Sequence, residues 1–242
     1  MKKLFNKDKE SNKTAKNVDF TALGFQIKES YKKARTNITY SVVKKGCKEI
    51  AFTSSRKGEG KTLTATNIAI ALAQQVDTKV LIVECDLRRP RVHGALNINP
   101  VPGITNYLNF ECNEHDIIKK TKVENLDAIC YGAIPPNPSE LLASNTMKEL
   151  IDKMATIYDY IIFDTPPIGV VIDALPIIKH ADGVVVVIRN NTSTFPEYNK
   201  TIDTLKRSGT KILGVIFNDV DSISTKKYGK GYSYGYYGYY GY

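Results

Sequence analysis

Apolar positions in this chain follow two periods. Short, mostly continuous apolar runs recur as EIAFTS (49–54), VLIVEC (80–85), LDAICY (126–131), YIIFDT (160–165), GVVVVI (183–188) and KILGVIF (211–217). Strands of this kind need cover on both faces, as in a parallel sheet with helices on either side. Stretches that fit helices lie between them, at 62–76, 138–155, 172–180 and 195–208. Ahead of the first strand, Ile27, Tyr31, Ala34 and Ile38 recur at helical spacing with charges between them, which predicts an amphipathic helix over 21–45. The alternation predicts an α/β fold with a doubly wound, mainly parallel sheet. In such a sheet ligands bind beyond the carboxyl ends of the strands. The last strand runs straight into the C-terminal segment, so that segment leaves the domain on the ligand side.

The two ends break the pattern. Residues 1–20 hold six lysines and few apolar side chains, the composition of a mobile basic arm. Residues 222–242 end in YGKGYSYGYYGYYGY (228–242), in which glycine at every second or third place opposes a helix and no aliphatic residue accompanies the rings into a core. The expected organisation is therefore an arm (1–20), one domain (21–221) and a disordered tail (222–242).

Composition narrows the chemistry. At 242 residues, 42% apolar and 24% charged, the chain is an ordinary globular sequence with room for one large domain. Its net charge of +9 suits an acidic partner such as nucleotide phosphate, nucleic acid or anionic lipid, or simply a solvated basic surface. Cys47, Cys85, Cys112 and Cys130 form no CxxC pair, which argues against a zinc site or disulfide framework and for a reducing compartment. The longest aliphatic runs fall far short of the ~20 residues that span a bilayer, and no apolar leader opens the chain; a cytoplasmic protein is expected.

The first strand is followed by TSSRKGEGKTLTATNIAIALA (53–73). KGEGKT (57–62) stands between a strand and a helix whose Ala65, Ile68, Ala69 and Leu72 share a face, the setting of a phosphate-binding loop. Gly58 and Gly60 let backbone wrap a β-phosphate, and the N–H groups opening the helix direct partial positive charge at it. Lys61 spans the β- and γ-phosphates, and the Thr62 hydroxyl completes coordination of Mg2+. Ser55 occupies the first glycine of the common GxxxxGK spacing, which makes this a variant P-loop. Ser55, Lys57, Glu59 and Leu63 complete the set of nucleotide-binding candidates.

Two later strands each deliver carboxylates at their carboxyl ends: Glu84 and Asp86 in LIVECDLRRP (81–90), and Asp164 in IIFDTPP (161–167). Mg2+ keeps several waters and takes one or two carboxylates beside phosphate oxygens, a duty that suits Asp86 and Asp164 with Thr62. A carboxylate nearby is also placed to accept a hydroxyl proton. Asn218, just past the last strand, either reads an adenine edge or closes a turn.

Together, KGEGKT, LIVECDLRRP, IIFDTPP, PPNPSELL (135–142) and the tyrosine cluster resemble the bacterial tyrosine kinases, over roughly residues 22–242. The resemblance implies a P-loop NTPase core, ATP with Mg2+ as phosphoryl donor, and Lys61, Asp86, Glu84 and Arg88 as catalytic residues, with either Glu84 or Asp86 taking the proton. It implies that Tyr228, Tyr232, Tyr234, Tyr236, Tyr237, Tyr239, Tyr240 and Tyr242 are autophosphorylated in trans, in the service of capsule and exopolysaccharide biosynthesis. Implied partners are a transmembrane polysaccharide co-polymerase adaptor that recruits and activates the kinase at the inner membrane face, a homo-oligomeric ring and a cognate tyrosine phosphatase; a nucleic-acid partner is not expected. The segment ESYKKAR (29–35) is similar to the family's ExxRxxR contact motif, which makes Glu29, Lys32 and Arg35 interface candidates, with Lys32 where arginine is usual. Glu84 likewise replaces a usual aspartate, one methylene shorter.

The rival reading is a partitioning or cell-division ATPase switch on the same core; those proteins carry a signature lysine where this chain has Arg56, and they have no use for a tyrosine tail. A phosphoryl acceptor must reach the γ-phosphate in line. A Gly/Tyr tail of ~20 residues has a coil dimension of roughly 25 Å and stretches to about 70 Å, within reach of neighbouring subunits.

Overall fold

A computed structural model describes Phe20 and residues 22–220. The proposed arm and tail lie outside the described residues, apart from Phe20. In chain order the elements are α1 (Phe25–Ser41), β1 (Lys48–Ser54), α2 (Lys61–Ala73), β2 (Val80–Glu84), α3 (Val92–Leu96), α4 (Ile104–Leu108), α5 (Glu114–Ile117), β3 (Ile118–Lys120), β4 (Leu126–Ile129), α6 (Pro138–Leu142), α7 (Asn145–Met154), β5 (Tyr160–Asp164), α8 (Leu175–His180), β6 (Gly183–Arg189), α9 (Phe195–Arg207) and β7 (Ile212–Asn218). The strands form one sheet in the order β3-β4-β2-β5-β1-β6-β7, parallel except for β3, which pairs antiparallel with β4.

Alternate side chains of a strand point to opposite faces, and the core divides accordingly. Ala51, Leu81, Val83, Ile161, Phe163, Val184 and Val186 pack with α7, α8 and α9. Ile50, Phe52, Val80, Ile82, Tyr160, Ile162, Val185 and Val187 pack under α2. Double cover explains why the central strands read as unbroken apolar runs. The edge strand β7 is only half-buried.

Sequence periodicity assigned α2 a single apolar face, yet residues 64–73 are buried throughout. The cause is α1, which lies over the outer side of α2: the Arg35 guanidinium donates to the Ala71 carbonyl at 2.8 Å, and burial raises the Tyr31 hydroxyl pKa. Helix α1 is shorter than the expected 21–45. The expected helix 138–155 is two helices, broken at Ala143–Ser144, where the Ser144 hydroxyl accepts the Met147 N–H at 3.1 Å and caps α7. Only Leu175–His180 of the expected 172–180 is helical.

Candidate nucleotide and phosphoryl-transfer site

The strand order brings the motifs together. β5 lies between β1 and β2, so the carboxyl ends of three adjacent strands bring the phosphate loop, Asp164 at the end of β5 and Asp86 just past β2 to one edge of the sheet. They line a crevice of about 830 Å³ whose walls include Lys57 to Leu63, Asp86, Arg88, Arg89, Arg91 and the Pro166–Pro167 pair.

The phosphate loop keeps its shape through its own polar groups. Gly58 and Gly60 have φ of +84° and +82°, a region that glycine enters without the penalty a side chain brings. Ser55 is not among the non-glycine residues with positive φ, so a side chain is tolerated where the common pattern has glycine. The Glu59 side chain is engaged within the protein: it is buried, accepts the Arg56 N–H at 2.7 Å and takes a short hydrogen bond from the Ser193 hydroxyl. Arg56 itself reaches toward α9, 3.4 Å from Glu197.

Asn218 closes the far side. Its amide donates to the Glu59 carbonyl at 3.0 Å, and its Oδ1 accepts the Asp219 N–H at 3.0 Å. Both ends of the amide are therefore engaged with backbone, as the turn-closing alternative expects, and the amide braces the loop. A Cβ on Gly60 would stand 1.9 Å from Asn218 Nδ2. Gly60→Ala combines this overlap with left-handed strain of about 1–3 kcal/mol, and we expect nucleotide affinity to fall at least tenfold in a fluorescent-nucleotide titration. Affinity within twofold of wild type would show that the loop does not need this backbone.

Lys61 is the centre of charge. It is buried, with Nζ 2.5 Å from Asp164 Oδ1 and 3.7 Å from Asp86 Oδ2, and the Thr62 hydroxyl donates to Asp164 Oδ2 at 2.7 Å. Burial lifts the Asp86 carboxyl above its ordinary range, with Lys61 drawing it back and Asp164 pushing it further up. The loop after Asp164 is pinned to β1: Thr53 Oγ1 donates to the Pro166 carbonyl at 2.9 Å and accepts the Ile168 N–H at 3.1 Å. Thr62, Asp164 and Asp86 are hard oxygen donors, and no cluster of three or more His, Cys, Asp or Glu with metal-site geometry occurs among the described residues. A set this sparse fits Mg2+, which fills its shell with water and phosphate oxygens.

Three sequence candidates are engaged by partners within the chain. Glu84 is wholly buried and its two oxygens accept backbone N–H groups, from Val92 at 2.5 Å and Tyr131 at 3.2 Å; it does not line the crevice. The Arg88 guanidinium is held by Asp173 in a short ion pair. Arg35 is committed within the chain, as described above, whereas Glu29 and Lys32 pair with each other at 2.8 Å on the exposed side of α1. Arg89 and Arg91 line the crevice and were not singled out from sequence, although the run RRPR (88–91) carries them.

Residues 47–214 match a family model described as an AAA domain. The chain is 40% identical over 209 residues to the tyrosine-protein kinase YwqD of Bacillus subtilis, covering 86% of this chain and 85% of the relative. Among solved structures, the chimerical protein CapA2B2 superposes with a TM-score of 0.76 at 34% identity, over 79% of this chain and 84% of the other. The kinase domain of the Escherichia coli tyrosine kinase ETK superposes with a TM-score of 0.79 at 29% identity, over 91% of this chain and 86% of the other.

Proposed function

The chain belongs to the bacterial tyrosine kinase family and is a protein-tyrosine kinase, and from that premise we propose that it phosphorylates the tyrosine cluster of its own C-terminal segment, in trans between copies, and so regulates capsule or exopolysaccharide synthesis. The observation that carries the reading is Lys61, a buried cation between Asp164 and Asp86 at the mouth of a glycine-shaped phosphate loop. ATP is the donor. Thr62 and Asp164 would hold Mg2+, which offsets phosphate charge when bound.

In the proposed transfer the phenol oxygen bonds to the γ-phosphorus as the bond from that phosphorus to the bridging oxygen breaks, and ADP leaves with the electron pair. Asp86 takes the phenol proton: its carboxyl already has a raised proton affinity and lies at the crevice, whereas both oxygens of Glu84 are occupied. No helix among the described residues is long and apolar enough to cross a membrane, which is compatible with recruitment by a separate transmembrane adaptor. Each phosphotyrosine adds about −1.5 to −2 charge, so five contribute roughly −8 to −10 and cancel the chain's formal +9. The negative charge gathered on the tails would set tail against tail and so loosen a ring of subunits.

The test uses two copies. A kinase lacking residues 223–242 is mixed with full-length Lys61→Met, ATP, Mg2+ and the activating adaptor segment, and the tail is read by mass spectrometry. Several modified tyrosines on the Lys61→Met copy are expected. An unmodified tail would overturn the reading, and release of inorganic phosphate alone would favour an ATPase switch.

A further inference from the structure

The crevice wall that follows β2 carries three arginines, and only one of them is neutralised. Arg88 is paired with Asp173. Arg89 and Arg91 are exposed, and among the described residues neither guanidinium has an ion-pair partner. Their backbone is nevertheless fixed. The Arg89 N–H donates to Asp86 Oδ1 at 3.1 Å, Pro90 restricts the next φ, and the Arg91 carbonyl accepts the Ala95 N–H at 3.0 Å. The next residue, Val92, is tied to the buried Glu84. Two unpaired guanidiniums therefore project from a held segment at the edge of the phosphoryl-transfer crevice.

Such a pair calls for an anion, since arginine presents planar, bidentate donors suited to phosphate. The donor nucleotide already has the phosphate-loop amides and Lys61, two strands away in the sheet. The acceptor segment, before reaction, is the wrong ligand: residues 222–242 contain three lysines, eight tyrosines and no Asp or Glu, so arginines repel it. Phosphorylation changes the sign. Two phosphotyrosines bring about −3 to −4, which matches or outweighs the three lysines and supplies the geometry that guanidinium binds best.

We propose that Arg89 and Arg91 form a subsite for phosphotyrosine on the tail of a second copy, so that a tail already modified is held while another of its tyrosines lies at Lys61. The doublets Tyr236–Tyr237 and Tyr239–Tyr240 keep an unreacted phenol next to a reacted one. Phosphates would then accumulate on one tail before a fresh tail is taken up. This rests on the kinase reading above, but the experiment below supplies the phosphate synthetically and is independent of whether the chain makes it.

The peptide GYYGYYGY, matching residues 235–242, is prepared with and without phosphate on one tyrosine doublet. Its binding to the phosphatase-treated full chain is measured by fluorescence polarisation in saturating MgADP. The phosphopeptide is expected to bind at least ~10-fold tighter than the plain one, charge-assisted bonds being roughly twice as strong as neutral ones. Replacing Arg89 and Arg91 together by alanine should bring the two peptides to within about twofold of each other, and replacing both by lysine should retain part of the preference. Three results would overturn the proposal: no preference in the wild type, a preference that survives the double alanine variant, or, in a parallel titration begun without nucleotide, displacement of the phosphopeptide by MgADP. A loss of MgADP affinity in the alanine variant that matches its loss of phosphopeptide would also overturn it, because the arginines would then belong to the nucleotide.

Discussion

Replacing Lys61 by methionine is expected to lower tail phosphorylation by at least about 10²- to 10³-fold, the effect of removing a preorganised charge from a transferring group. The same substitution acts on stability. Lys61 is buried between Asp164 and Asp86, and removing one partner of a buried pair costs about 3–5 kcal/mol because the other charge is left uncompensated. The two carboxylates then face each other without a cation, and Asp86, already raised by burial, is raised further. A carboxyl with a raised folded pKa holds more protons folded than unfolded, so its contribution to stability is lost as pH rises through that pKa. The deficit of Lys61→Met in thermal unfolding should therefore be larger near pH 8 than near pH 5. A variant that keeps a tenth of wild-type phosphorylation, or whose deficit is larger at the lower pH, would remove Lys61 from the centre of the site.

The phosphate loop was legible from sequence because its requirements are local. Strand, glycines, lysine and hydroxyl follow one another within about fifteen residues, and each answers to one backbone or coordination need. The convergence of Asp86, Asp164 and Lys61 was legible only as an expectation of the fold class. What brings them together is the insertion of β5 between β1 and β2, and strand order is set by long-range packing that no local pattern records. Glu84 and Asp86 show the limit most directly. Two carboxylates separated by one residue look equivalent in sequence, and a continuing strand would put both on one face; β2 ends at Glu84, which stays among backbone amides, and the turn after it carries Asp86 to the crevice.

Other departures have equally physical causes. The break at Ser144 falls inside a stretch whose apolar periodicity runs on across it, and a serine side chain competing for backbone N–H groups is a weak signal beside that periodicity. The segment 91–120 forms α3, α4, α5 and β3, each five residues or shorter, too short to establish a period of either kind. Arg35 is an interface candidate through the likeness of ESYKKAR to a contact motif; its tie to the Ala71 carbonyl depends on α1 crossing α2, a matter of tertiary packing that the motif does not record. Asn218 was a residue with two equal readings, and the close approach of Gly60 to its amide favours the one that concerns backbone.

Asp164 is the second position at which a single change should have a large effect. It is wholly buried and its two oxygens serve different partners, Lys61 Nζ at 2.5 Å and the Thr62 hydroxyl at 2.7 Å. In Asp164→Ala both lose their acceptor and Lys61 keeps only Asp86 at 3.7 Å, so a loss of about 3–5 kcal/mol in stability is expected, together with at least a ~10²-fold fall in phosphorylation. Asp164→Asn separates the two contributions. The amide oxygen still accepts from Thr62 or Lys61, so part of the stability should return, whereas the negative charge that a hard cation needs is gone. We therefore expect nucleotide affinity in Asp164→Asn to become nearly insensitive to Mg2+ while the protein remains folded, as read by nucleotide titration with and without chelator beside a thermal melt. If Mg2+ strengthened nucleotide binding in that variant as much as in the wild type, the cation would have to be held without Asp164, and the assignment of the Thr62–Asp164 pair would fail even though the fold around it stood.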